Sequence, residues 1–230
     1  MKLPLTILIG LSLCTPAFAA APAGIQASYD ISMSGMQIGQ MVESYTRSGD
    51  HYTLSSTTTP LGLAAVFKPG KIISNSSGLI DKHGLRPQHF DHVREGDANK
   101  DSHADFDWGT RQLTLSHKTL HIALPEGTQD RLSAMYQFMF INFDGLSSLN
   151  FMMTDGNKLD SYHYAIGDRQ KIATATGQCD GLYLDSQAKP GESHTEIWLS
   201  VEYNLPCKMI ITDARGGQFI QLLSGLHITP

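Results

Sequence analysis

His89 and His92 flank Phe90-Asp91, and His117 and His121 stand four residues apart. Imidazole is the commonest metal ligand, so these pairs come first in any search for chemistry. On a helix an i, i+4 pair shares one face and could hold an ion. On strands the same positions lie about two pleats apart, too far for easy chelation. Ser116 to Thr119 reads as a turn, and solvated strand positions account for most of the ten histidines. No metal ligand is assigned. A second set is the alternating comb of Asp101, His103, Asp105 and Asp107 beside Ala104, Phe106 and Trp108. It lacks the glycine and terminal glutamate of a calcium loop. Asp105 and Asp107 could do acid–base work, but no feature places a substrate between them. The solvent face of a strand explains the comb.

Sequence motifs of familiar enzymes are missing. No G-x-S-x-G, H-E-x-x-H, phosphate loop or G-x-G-x-x-G occurs, so serine hydrolases, zincins and nucleotide-binding enzymes lose their usual support. No catalytic residue is assigned and no cofactor is implied. Seventeen Lys+Arg against 22 Asp+Glu give a formal charge of −5, which argues against a nucleic-acid partner, because phosphate binding needs a basic face.

The elements that must position any site are strands. The 230 residues are 41% hydrophobic and 17% charged, a globular composition sufficient for one sizeable domain. Ile25, Ala27, Tyr29, Ile31 and Met33 alternate with Gln26, Ser28, Asp30, Ser32 and Ser34, the period of a half-buried strand. Further strands are expected near 37–47 and at 51–59, 71–80, 85–95, 102–108, 111–117 and 119–124. The pattern continues at 149–155, 159–166, 170–185, 193–202, 206–213 and 217–228. Turn signals such as Gly109-Thr110, Gly167-Asp168 and Asn204-Leu205-Pro206 separate them. Roughly a dozen short antiparallel strands in one run predict a mainly β, single-domain chain, a curled sheet or (half-)barrel.

Two apolar segments break the alternation. Residues 128–143 (TQDRLSAMYQFMFINF) predict a buried helix, with Thr128 as N-cap, Asp130 in the first turn and Asp144-Gly145 as its end. It is apolar on almost every side and too short for a membrane span, so it is expected to plug the concave face of the sheet. Leu61-Gly62-Leu63-Ala64-Ala65-Val66-Phe67, between Pro60 and Pro69, is either a loop or short helix over the end of the core, or an exposed apolar loop that touches lipid or a partner.

The compartment is read from the start of the chain. Lys2, the apolar run Leu3–Leu13 and Ala17-Phe18-Ala19 have the three-part form of a signal peptide over 1–19, with cleavage near Ala19 and a single domain over 20–230. Leu13 stands before Cys14 where a lipobox wants a small residue, which argues against lipidation. No later segment approaches a membrane span, so the expectation is an exported, periplasmic protein. Cleavage leaves Cys179 and Cys207, an even pair in an oxidising compartment, which favours a disulfide over two buried free thiols.

In order along the chain, several weak signatures resemble the exported family known as domain of unknown function 3108. They are Tyr29-Asp30-Ile31 with Gly35 and Ile38-Gly39, Tyr52-Thr53-Leu54, Ser77-Gly78-Leu79-Ile80 before Gly84-Leu85-Arg86-Pro87, Phe106-Asp107-Trp108, Gln129-Asp130-Arg131-Leu132-Ser133, and Trp198-Leu199 before Leu205-Pro206. Cys207 stands where an aliphatic residue is usual in that family, which would make the disulfide private to this chain or its near relatives. The resemblance implies an exported β-rich protein of Gram-negative bacteria without an assigned reaction. By fold-level analogy it also implies a likeness to curled-sheet carriers that shelter lipoprotein acyl chains.

The expected function is non-enzymatic binding of a hydrophobic or amphipathic ligand, lipid-derived ones included. Contacts are expected from Leu132, Met135, Met139 and Phe143 on the helix and from Leu63 and Phe67 on the apolar loop. Two alternatives stand beside it. One is an envelope structural or assembly factor that binds a protein partner. The other is a hydrolase with an unrecognised site among Arg86, Asp107, Asp130 and Arg131.

Overall fold

The computed structural model describes residues 22–116 and 120–230. The expected signal peptide, Cys14 and His117 lie outside those residues. Strands β1 (Gly24–Met33), β2 (Met36–Ser48) and β3 (His51–Pro60) form a meander, and α1 (Gly62–Phe67) follows. The meander resumes in β4 (Ile72–Asp81), β5 (Gly84–Arg94), β6 (Ser102–Asp107), β7 (Gln112–Leu115) and β8 (Leu120–Ala123). The two-residue β9 (Gln129–Asp130) leads into α2 (Ser133–Gln137) and a 3₁₀ turn at Phe138–Phe140. Six long hairpin strands complete the chain: β10 (Ser148–Thr154), β11 (Leu159–Thr174), β12 (Gly177–Asp185), β13 (His194–Ser200), β14 (Pro206–Thr212) and β15 (Gln218–Thr229).

All fifteen strands belong to one sheet, in the order β8-β7-β6-β5-β4-β3-β2-β1-β15-β14-β13-β12-β11-β10-β9. Neighbours are antiparallel except β9 and β10, which run parallel over two residues. β1 pairs with both β2 and β15, so the first and last strands meet in the middle of the sheet. Its two edges, β8 and β9, are not joined, so the sheet is not closed into a barrel, and it has fifteen strands rather than a dozen. It nevertheless curls. Gln129 Nε2 on β9 donates to Leu85 O at the start of β5, 2.8 Å away, four strands in from the opposite edge.

Period-two burial follows from the sequence. On β6, Ser102, Ala104 and Phe106 are buried while His103, Asp105 and Asp107 are exposed, so the acidic comb is a solvent face. One expected turn is a bulge instead. β11 runs unbroken to Thr174, and Gly167-Asp168 stand as two residues opposite Tyr183 alone. A Cβ at Gly167 would meet Tyr183 Cδ1 at 2.9 Å. The glycine there serves close approach rather than chain reversal.

The apolar helix is shorter than its sequence span. Thr128 caps nothing; its hydroxyl donates to Pro125 O at 2.7 Å. Gln129 and Asp130 are held in β-structure by β10, and the chain is extended again from Ile141. The aromatic run from Phe138 has modest helix propensity, and its side chains serve two separate cores. Leu132 and Tyr136 belong to the larger core with Tyr29, Tyr45, Tyr52 and Phe90. Phe138 belongs to a smaller one with Tyr164, Leu184, Ile197 and Leu199. The helix gives way to a 3₁₀ turn after Gln137 and to extended backbone at Ile141. Burial of Phe138 contributes roughly 1.5–3 kcal/mol. Among the described residues no helix is long and apolar enough to cross a membrane.

Candidate functional site

Three transverse rows cross β2 to β5 on the inner face, each set by antiparallel register. The first, Tyr45, Leu54, Ser76 and Phe90, is core. The second, one pleat along, is Glu43, Ser56, Ser74 and His92, polar at every strand. The third is Met41, Thr58, Ile72 and Arg94. The second and third rows line a cavity of about 950 Å³. Leu132 and Met135 of the helical segment line it as well, as do Met209 and Ile211 of β14 and Phe219 and Ile220 of β15. One wall is therefore apolar and the opposite floor polar. The volume lies within the range of small-molecule sites, roughly 300–1,000 Å³.

Glu43 is buried at 7% exposure. Tyr136 Oη donates to its Oε2 at 3.1 Å. Burial pushes its carboxyl up to about 7, against the opposing hydrogen bonds of Tyr136 and Ser56. His92 sits at the other end of the row, where its Nδ1 and Ser74 Oγ are 2.9 Å apart. Burial lowers the pKa of its ring, and the charges of Arg131 and Arg94 lower it further.

Asp130 is a second buried carboxylate, with a structural role. Its Oδ2 accepts from Ser76 Oγ at 2.6 Å, and its Oδ1 accepts from the amides of Leu132 at 2.9 Å and Ser133 at 2.8 Å. Tyr52 Oη completes the chain 3.1 Å from Ser76. Burial raises its pKa, and these hydrogen bonds oppose the rise. The residue expected to favour the helix dipole thus fixes the entry to α2 from a strand.

The sequence-predicted contact residues divide. Leu132, Met135 and Phe67 line the cavity. Met139 is half-buried against the larger core, and Phe143 packs by Phe138 with ring centroids 6.3 Å apart. Leu63 is 68% exposed on α1, as are Val66 at 73% and Phe67 at 79%, so α1 is a short helix with an uncovered apolar face. The residues weighed for a hydrolase are not gathered. Asp107 accepts from the Gly109 and Thr110 amides in an exposed turn, Arg86 stacks on Trp108 at 4.7 Å, Asp130 is committed as above, and Arg131 lines the cavity.

His89 and His92 point to opposite faces of β5. His89 bonds Asp105 and Asp91 on the outside, at 2.6 and 2.8 Å, while His92 shares the inward parity of Phe90. One ion cannot bridge them. Among the described residues no group of three or more His, Cys, Asp or Glu side chains could hold a metal. Cys179 and Cys207 form a disulfide between the strands that flank β13, with Cα atoms 6.5 Å apart. Gly181 leaves room for it: a Cβ there would meet Trp198 Cβ at 3.0 Å and Cys207 Sγ at 3.5 Å.

Glu43, Ser56, Ser74, His92 and Arg94 were not singled out as cavity residues from sequence. Parity carries the signal: Glu43 is two before Tyr45, Ser56 two after Leu54, and His92 two after Phe90. Polar residues that continue an inward-facing series mark a wet interior.

A comparison with curated proteins gives no match. A family profile described as protein of unknown function (DUF3108) matches residues 28–222. That span takes in β2 to β14 and every residue of the polar row, and on it the chain belongs to the DUF3108 family.

Proposed function

We propose that the protein is a non-enzymatic carrier or sensor for an amphipathic, lipid-like ligand, working in the periplasm after export. One observation carries this reading: a cavity of about 950 Å³ with an apolar wall on β14, β15 and Met135, facing a polar row on β2 to β5. An unliganded structural core would fill such a volume with side chains, because interiors are close-packed. Flexible methionines (Met41, Met135 and Met209) suit an irregular aliphatic guest.

Native mass spectrometry of protein purified without detergent tests the reading, together with titration of a fluorescent fatty-acid probe. A lipid-sized adduct, or saturable micromolar probe binding, is the expected result. Protein that carries no adduct and binds no probe overturns it. Envelope assembly through a protein partner is the second reading, and the exposed Leu63, Val66 and Phe67 of α1 favour it. A stoichiometric protein partner in the same spectra would bring it to the front.

A further inference from the structure

Cationic groups gather at one end of the cavity. Arg94 shares the inward parity of Phe90 and His92 on β5, and its Nε is buried without a hydrogen-bond partner. Arg131, directly after the anchored Asp130, lines the cavity near it, since the charges of both arginines act on His92, and Lys68 at the end of α1 belongs to the same lining. Among the described residues no ion pair engages Lys68, Arg94 or Arg131.

Of the carboxylates that share this part of the lining, Asp97 is ion-paired and Glu95 is bound by one neutral amide and keeps its charge. Glu95 accepts from the Lys71 amide at 3.0 Å, and Asp97 pairs with Lys100 at 3.1 Å. Glu43 is three strand spacings from His92 along its row, roughly 14 Å. The buried, unpaired Nε of Arg94 calls for an acceptor, Arg131 is exposed beside the lining, and the fork geometry of both guanidinium groups matches carboxylate and phosphate oxygens. The apolar wall lies on the far side of β1, across the sheet from β5. The cavity therefore has a basic end and a greasy end.

We infer that the ligand is an anionic amphiphile, whose carboxylate or phosphate head is held between Arg94 and Arg131 with Lys68 at the rim, and whose aliphatic tail lies on Met209, Ile211 and Phe219. This rests on the carrier reading above and adds the charge and orientation of the guest. Glu43, at the opposite end of the polar row, is left facing the body of the ligand rather than its head.

Isothermal titration of the mature protein with a matched set tests it: dodecanoate, dodecyl phosphate, dodecanol and inorganic phosphate. The two anionic amphiphiles should bind about tenfold or more tighter than dodecanol, as expected for a charge-assisted head contact. Arg94→Gln and Arg131→Gln should each shrink that ratio toward unity. Equal affinities for dodecanol and the anionic amphiphiles would overturn the anionic head and leave the carrier reading standing. Inorganic phosphate that binds as tightly as dodecyl phosphate would overturn the amphiphile in favour of a free anion. Failure of every compound to bind would sink the inference and the carrier reading together.

Discussion

Tyr136 in α2 donates a hydrogen bond to Glu43 in β2 across 3.1 Å of space and 93 residues of sequence. Its ring also stacks on Tyr45 in the same strand, with centroids 5.8 Å apart. This relationship ties the helical segment to the floor of the cavity. It also holds an ionisable acid in the interior, at 7% exposure.

Stability should therefore fall as pH rises through the window set by Glu43. The folded-state pKa is raised from 4.5 to about 7, so the folded protein holds a proton that the unfolded chain releases. The contribution is intact below about pH 4.5, declines up to about pH 7 and is flat above that, with a span on the order of 3 kcal/mol. Glu43→Gln, which keeps an acceptor for Tyr136, should flatten this slope and raise stability at pH 8. Urea melts of both proteins from pH 5 to 8 measure it; parallel curves would refute the assignment.

Breaking the bond between Cys179 and Cys207, which are 28 residues apart, should destabilise the protein by about 3–4 kcal/mol on the loop-entropy model. For a domain of this size the melting temperature should drop on the order of 10 °C. Calorimetry with and without reductant checks the shift. Alkylation of unreduced, unfolded protein followed by peptide mapping checks the bond, and two freely labelled thiols would disprove it.

Asp130→Ala should cost at least about 2 kcal/mol. It strands the amides of Leu132 and Ser133 in the interior, each unsatisfied group costing about 1–3 kcal/mol, and leaves the Ser76 hydroxyl to Tyr52 Oη alone. Asp130→Asn retains an acceptor and should lose less. Chemical denaturation of the two variants ranks them, and an alanine variant as stable as the parent would remove Asp130 from its anchoring role.

Two methionines four residues apart should behave differently. Met139 packs against the larger core, so Met139→Ala should cost about 2 kcal/mol and leave binding of a fluorescent fatty-acid probe unchanged. Met135 lines the cavity, so Met135→Trp should fill it and weaken the probe by about tenfold. Thermal melts and probe titrations of both variants separate the effects. Equal probe affinity for Met135→Trp and the parent would remove this residue from the contact surface.

Strand composition, the single meandering run and the paired cysteines were legible in the residues alone. Alternation is a local property: Ile25, Ala27 and Tyr29 reach one face because successive side chains on a strand point opposite ways. The family signatures are likewise contiguous strings. The helical span was not legible, because an all-apolar stretch says that residues are buried and not which core takes each one. Only the folded chain decides that Tyr136 faces the first half of the sheet and Phe138 the second.

The polar row lay beyond the sequence for the same kind of reason. Glu43, Ser56, Ser74 and His92 are spread over 50 positions, and strand register alone makes them neighbours. Each strand by itself could specify which residues point inward. Which inward residues stand side by side depends on how four strands align, and that is set by turns and packing far from any one of them. The same holds for Gly167-Asp168, whose composition reads as a turn until Tyr183 on the neighbouring strand makes it a bulge. The residues thus determined a β-rich chain with two inward faces' worth of side chains. The tertiary structure decided that those faces line one cavity, because strand register sets Arg94 beside the polar row while the connections that carry Arg131 and Lys68 fold onto the same lining.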